Sequence, residues 1–226
     1  MRTLHHLWLD PFCRKIRLVL SEKGLEYTLE AEPVWERRDA FLALNPAGEV
    51  PVWVEAPDNG ERLVIAGHEA ICEYVDEAHE EPPLIGTTPT ERAEARRLTA
   101  WFDRKFHAEV YANLVGEKLV KRVMGQGQPD SAAIRAGLAN IRTHLDYIGY
   151  LMEDRRWLAG SHLSMADLAA AAQISMVDYI GDVPWHHNAE ARDWYARIKS
   201  RPSFRPLLAE RISMIPPSKQ YANLDF

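Results

Sequence analysis

The chain has 226 residues, 46% of them hydrophobic, enough to bury one full core or two smaller ones and too apolar for a disordered polymer. Its formal charge of −6 argues against general attraction to nucleic acid or an anionic membrane, leaving only local basic patches open. No apolar run reaches the roughly 18 residues of a membrane span, and the start MRTLHHLWLDPFC has neither a long apolar core nor a small-residue cleavage site, so the expectation is a cytoplasmic protein without membrane insertion.

Two styles of sequence meet near Pro82 and Pro83. Before them, short strand-like runs (Thr3 to Leu9, Tyr27 to Ala31, Val50 to Val54, Arg62 to Ile65) alternate with helical stretches punctuated by Gly and Pro. The first two runs flank a helix, as a parallel βαβ unit requires, and the DNGE segment at 58–61 reads as a hairpin turn between the last two. Residues 1–81 are thus predicted to form a small α/β domain of thioredoxin-like order, with 82–89 as a linker.

The helix after the first run opens with LDPFCRKIRLVL, residues 9–20. Asp10 followed by Pro11 is a strong helix start, Asp accepting orphan N–H groups and Pro fitting the first turn. Cys13 has two readings: a thiol given thiolate character by the helix N-terminus and by Arg14 or Lys15, or a packed cysteine, which is the favoured one. Cys13 and Cys72 lie far apart with no CxxC or His/Cys ligand spacing, so neither a disulfide framework nor a zinc site is expected. Adjacent histidines, His5-His6 and His186-His187, point apart on a strand or sit in solvent on a loop, so no metal is expected either.

Beyond the linker, Leu98, Trp101, Phe102, Phe106, Val110 and Leu114, and then Ile134, Leu138, Ile141, Leu145, Ile148 and Met152, recur at helical spacing. Residues 90–213 are therefore predicted to be an all-α domain whose aromatic stripe is core. Between the two stripes, Lys118, Lys121 and Arg122 run into a Gly/Pro/Gln loop, either a solvated helix end suited to its dipole or a patch for an acidic partner. Ser164-Met165-Ala166-Asp167 is a capping box before an Ala-rich helix, a structural motif. The last residues, 214–226, carry two prolines and end in Tyr221, Leu224, Asp225 and Phe226. They form either an extended tail suited to docking in a groove or a tail folded back on its own domain.

Taken in order, NPAGEVP at 45–51, AICEYVDE at 70–77 and WLAGSHLSMADLAAA at 157–171 resemble the glutathione transferase superfamily over nearly the whole chain. The resemblance implies a thioredoxin-like domain joined to an all-helical one, a homodimer, a cis bond at Pro51, and Val50 presenting its backbone to glutathione. Asp10 falls where the family's activating Ser, Tyr or Cys stands, and a carboxylate there disfavours a thiolate by like-charge repulsion. Gly67-His68 replaces the Glu/Gln-Ser pair that holds the γ-glutamyl group. Glutathione binding is accordingly expected to be weak or absent, with no cofactor and no catalytic residue.

The tail, the DPFCRK start and the altered pair together resemble the bacterial division-protein branch of that superfamily. This implies a cytoplasmic protein at the division site that binds filaments of the tubulin-like protein FtsZ, alters their curvature and promotes constriction. Lys118, Lys121 and Arg122 are then the expected filament contact, and the tail a route to other division or wall-synthesis factors. Two alternatives remain: a glutathione-dependent transferase or thiol reductase using Cys13, and a ligand carrier whose apolar pocket is lined by Trp8, Trp35 and Trp101.

Overall fold

Val52 and Val54 point one way from their strand and Trp53 the other, and all three are buried, the alternation of a strand covered on both faces. The computed structural model describes residues 1–56, 60–212 and 215–224, in two compact units, Met1–Leu84 and Ile85–Phe226.

The first unit is a four-stranded sheet in the order β2-β1-β3-β4, built from β1 Arg2–His6, β2 Thr28–Ala31, β3 Val52–Glu55 and β4 Leu63–Ala66. β1 and β2 are parallel across helix α1, Pro11–Glu22, whereas β3 runs antiparallel to both β1 and β4. This is the βαβ plus ββα order expected, and the antiparallel β3–β4 pair is the one the DNGE turn implied, although residues 57–59 lie outside the described set. Strand limits shift by a few residues. Leu7 to Leu9 leave the predicted first strand for a turn, because Asp10 already caps α1, and β3 starts only after the Val50-Pro51 bond. On one face of the sheet Val52 and Val54 pack with Phe41 of α2, Asp39–Leu42. α1 packs on α3, His68–Ala78, and buried Lys23, just past α1, ties the two helix ends together through Asp76, His79 O and Pro82 O at 2.5–2.7 Å.

The second unit is helical. α4, Pro89–Ala100, runs on into Trp101–Val120, which winds in the wider π pattern, and ends in a single turn, α5, Lys121–Val123. Along Trp101–Val120, buried Phe102, Phe106, Val110 and Leu114 recur every four residues, with Tyr111, Val115 and Leu119 buried in the adjacent row. α6, Ser131–Met152, lies against this stretch. Its predicted stripe holds at Ile141, Leu145 and Ile148, but Leu138 is exposed and Gly137 takes the buried place. A Cβ at Gly137 would stand 2.8 Å from the Leu114 side chain, so the close helix approach admits only glycine.

α7, Met165–Tyr179, is the centre of this unit, with all fifteen of its residues buried. α8, Ala189–Lys199, and the short α9, Arg205–Leu208, follow. The capping box read from sequence is made: Asp167 Oδ2 accepts from Ser164 N at 2.9 Å and Ser164 Oγ at 2.7 Å. Its Oδ1 also accepts from Leu158 N at 2.8 Å and Trp194 Nε1 at 2.9 Å, which joins the preceding turn and α8 to the start of α7.

Asp167→Ala leaves these buried donors without an acceptor and is expected to cost about 3 kcal/mol or more. Asp167→Asn, which keeps one carbonyl acceptor, should cost less. Urea unfolding of both variants measures the difference.

Candidate functional site

Asp10 caps α1 as its spacing implied: Oδ1 accepts from Cys13 N at 2.7 Å, and Pro11 takes the first helical position. The chemistry of Cys13 follows from this cap. Its Sγ accepts from Leu7 N at 3.5 Å, the residue is completely buried, and burial together with the Asp10 carboxylate pushes its thiol well above the ordinary range. The favoured reading, a packed cysteine, is the one the geometry supports. Enclosure also raises the Asp10 carboxyl to about 6, against the lowering effect of the Cys13 N–H.

Val50-Pro51 is cis, as the family resemblance implied, and Glu81-Pro82 is a second cis bond. Gly67 N donates to Pro51 O at 3.1 Å. Gly67 has φ +90° at the N-cap of α3, and the space a Cβ would occupy is open, so conformation and not crowding selects glycine here. His68 is engaged by its own chain: its ring stacks on Phe12 at 4.2 Å and 7°, and Nδ1 accepts from Lys15 Nζ at 2.8 Å. Phe12 was not singled out in the sequence and Lys15 only as a cation near Cys13, because helical spacing marks the faces of α1 but not which residue of α3 meets them.

The expected cationic segment is largely neutralised. Lys118 pairs with Asp182 at 2.6 Å and Lys121 with Glu117 at 2.6 Å. Glu117, whose carboxyl is held below its ordinary range chiefly by the Asp130 N–H, is thereby shared between a helix end and the start of α6. Arg122 is exposed and makes no ion pair among the described residues. Val123 and Met124 beside it are exposed apolar residues.

The tail corrects one expectation. Tyr221, read as part of a docking segment, is wholly buried and donates from its hydroxyl to Leu207 O at 3.0 Å. Lys199 Nζ reaches Gln220 O and Asp178 Oδ2, both at 3.2 Å, and Ser218 bonds the end of α7 through Tyr179 O and Asp178 O, both at 2.8 Å. Residues 215–221 thus fold back on the helical unit, since an aromatic ring gains more from burial there than in water. Leu224 is exposed, and Asp225 and Phe226 lie outside the described residues.

Of the histidine pairs, His5 and His6 are buried, and His187 meets Asp146 at 3.0 Å. Among the described residues, no group of three or more metal-ligating side chains comes together. Trp8 and Trp35 are exposed on the first unit, while Trp101 donates to His144 Nδ1 at 3.1 Å in the second. Because indole N–H only donates, His144 must carry its proton on Nε2, toward Glu109 at 3.2 Å.

Two measurements follow from the Asp10 site. Its folded carboxyl lies at about 6 against an ordinary 3.8, so the folded protein holds a proton that the unfolded chain releases, and this contribution to stability is lost as pH rises through that window. Asp10→Asn keeps an acceptor for the Cys13 N–H without the titration. The melting temperature of the variant, relative to the parent, is expected to rise between pH 4 and 7; a constant difference would place Asp10 at its ordinary value. Iodoacetamide should label Cys13 only at the rate of global unfolding, followed by mass spectrometry of the peptide.

The family model described as the N-terminal domain of glutathione S-transferase matches residues 11–78, and that for its C-terminal domain matches 131–197. The "FtsZ-localized protein A" of Caulobacter vibrioides is 49% identical over 225 residues, covering 100% of this chain and 98% of that protein. The solved structure described as FzlA from C. crescentus superposes with a TM-score of 0.96 over 100% of this chain and 99% of that one. A structure described as a glutathione S-transferase from Rhodospirillum rubrum F11 is 55% identical with the same TM-score, and each chain is covered completely. Two matched domains and end-to-end relatives at this identity make the chain a member of the glutathione S-transferase family.

Proposed function

We propose that this protein is a non-catalytic member of the family that binds FtsZ filaments as a homodimer at the division site of a bacterial cytoplasm, modulates their curvature and promotes constriction. The observation that carries the reading is the full-length likeness, at 49% identity, to a protein named for its localisation with FtsZ. Among the described residues, no helix is long and apolar enough to cross a membrane, which is compatible with a filament-associated role.

The absence of catalysis is argued from the thiol site. A glutathione thiolate would need a donor at position 10 and finds a carboxyl. The γ-glutamyl group would need an acceptor at 67 and a free hydroxyl-like donor at 68; it finds glycine and an imidazole already held by Phe12 and Lys15. For the filament contact, Lys118 and Lys121 spend their charge inside the unit, so Arg122, with exposed Val123 and Met124 alongside, is assigned the largest share. The chain end past the Tyr221 anchor, Leu224 to Phe226, is assigned to contact with other division or wall-synthesis factors.

One observation favours a second reading. The Rhodospirillum rubrum relative, 55% identical, is described as a glutathione S-transferase, which keeps open a glutathione-dependent transferase or thiol reductase using Cys13. The burial of that thiol, and the suppression of its ionisation by burial and the Asp10 carboxylate, weigh against it.

Co-sedimentation with GTP-polymerised FtsZ, imaged for filament curvature, tests the first reading. Saturable pelleting that needs polymer is expected, and Arg122→Glu should weaken it about ten-fold, more than Lys118→Glu or Lys121→Glu. Absence of pelleting at low salt, together with turnover of chlorodinitrobenzene that is lost in Cys13→Ser, would install the enzyme instead.

A further inference from the structure

The helical unit carries a second cationic feature, built on an aromatic platform and away from the 117–129 segment. Trp157 is buried, and two guanidiniums lie over its ring, Arg197 with Cζ 5.4 Å from the centroid and Arg201 at 5.9 Å. Arg197 Nη1 also donates to Arg156 O, which places exposed Arg156 at the border of the same face. Arg156 and Arg197 make no ion pair with a carboxylate among the described residues, in a chain whose formal charge is −6.

The platform is rigid. Trp157 and Gly160 exchange backbone bonds at 2.9 and 3.0 Å, and the next residue, Leu158, donates to buried Asp167. A helix C-terminus alone would favour cations at the end of α8. It does not account for two guanidiniums gathered over one indole with no acid among the described residues to neutralise Arg197. Guanidiniums held over a ring present their in-plane N–H donors edge-on to carboxylate oxygens, with little side-chain entropy left to lose.

We propose that the Arg156–Trp157–Arg197–Arg201 face is a docking surface for an acidic peptide segment of a partner protein. An extended nucleic acid fits less well: the cationic face is local, the chain as a whole repels polyanions, and Glu153, Asp154 and Asp193 flank the arginines in sequence. Short-range pairing of Arg156 and Arg197 with two carboxylates needs no favourable long-range field, and it weakens with salt. This surface is independent of the filament contact assigned above.

The test is fluorescence anisotropy of the full chain with a short labelled peptide rich in glutamate, compared with a glutamine counterpart and a single-stranded oligonucleotide. Salt-sensitive binding of the acidic peptide is expected, reduced about ten-fold by Arg197→Glu and by Arg156→Glu and unchanged by Arg142→Glu, an exposed arginine on α6. Circular dichroism confirms folding. If Arg197→Glu fails to fold, Arg156→Glu decides, since the Arg156 side chain holds nothing in place among the described residues. Absence of peptide binding at low salt, equal loss in Arg142→Glu, or tighter binding of the oligonucleotide through the same arginines overturns the proposal.

Discussion

The helical unit depends on one buried carboxylate. Asp167 receives four donors from three places: both donors of Ser164, the amide of Leu158 in the preceding turn, and the indole of Trp194 in α8. Burial raises its carboxyl above the ordinary range, and each of those bonds works the other way. Without this carboxylate, the Ser164 amide at the N-cap of α7, the Leu158 amide and the Trp194 indole N–H would lie in the interior with no acceptor. The same node fixes Trp157, on which the arginine face is built, and Trp194, which anchors α8 in the core. A second buried charge acts at the other end of α7. Asp178 and Lys199, neither exposed, pair at 3.2 Å, and Lys199 extends the link to the backbone of the tail. Two buried polar nodes thus set where the central helix starts and what closes over its end.

In the thioredoxin-like unit, the side chains around the cis bond and the start of α3 are engaged by their own chain. The β3 entrance keeps its cis bond, and the backbone of Pro51 still meets the start of α3. What differs is side-chain traffic: α1 sends Phe12 and Lys15 to His68, and Asp10 turns its carboxyl to the helix cap and to Cys13. Each of these contacts stabilises the free protein, so a ligand would have to displace them before gaining its own. The proposed filament role fits such a molecule, in which the scaffold persists and binding has moved to the surface.

Much of this was legible in the residues. The alternation of Val52, Trp53 and Val54, the Asp-Pro start of α1 and the Ser164–Asp167 box each announce a local structure whose physics acts within a few residues. The helical stripes announced a helical unit, but they misplaced Leu138, because only the approach of the Leu114 side chain makes Gly137 the contact residue. The winding change at Trp101–Val120 was not announced, because the stripe from Leu98 to Leu114 recurs at a spacing that does not separate α from π winding. The cationic look of 117–122 misled for the opposite reason: Asp182, distant in sequence, takes the charge of Lys118, and no local pattern foretells it.

By itself, then, the sequence determined the two kinds of unit, the caps and turns that begin their elements, and a family likeness strong enough to predict the cis bond at Pro51. Those features rest on backbone geometry and neighbouring side chains, which the order of residues states directly. Tertiary structure alone decided that Tyr221 is an anchor, that His68 is occupied by its own chain, that Arg122 carries a charge its neighbours have lost, and that two arginines share the Trp157 ring. Each depends on which distant side chains meet, and on the burial that makes an unpaired charge costly and a paired one silent, quantities that exist only once the chain has folded.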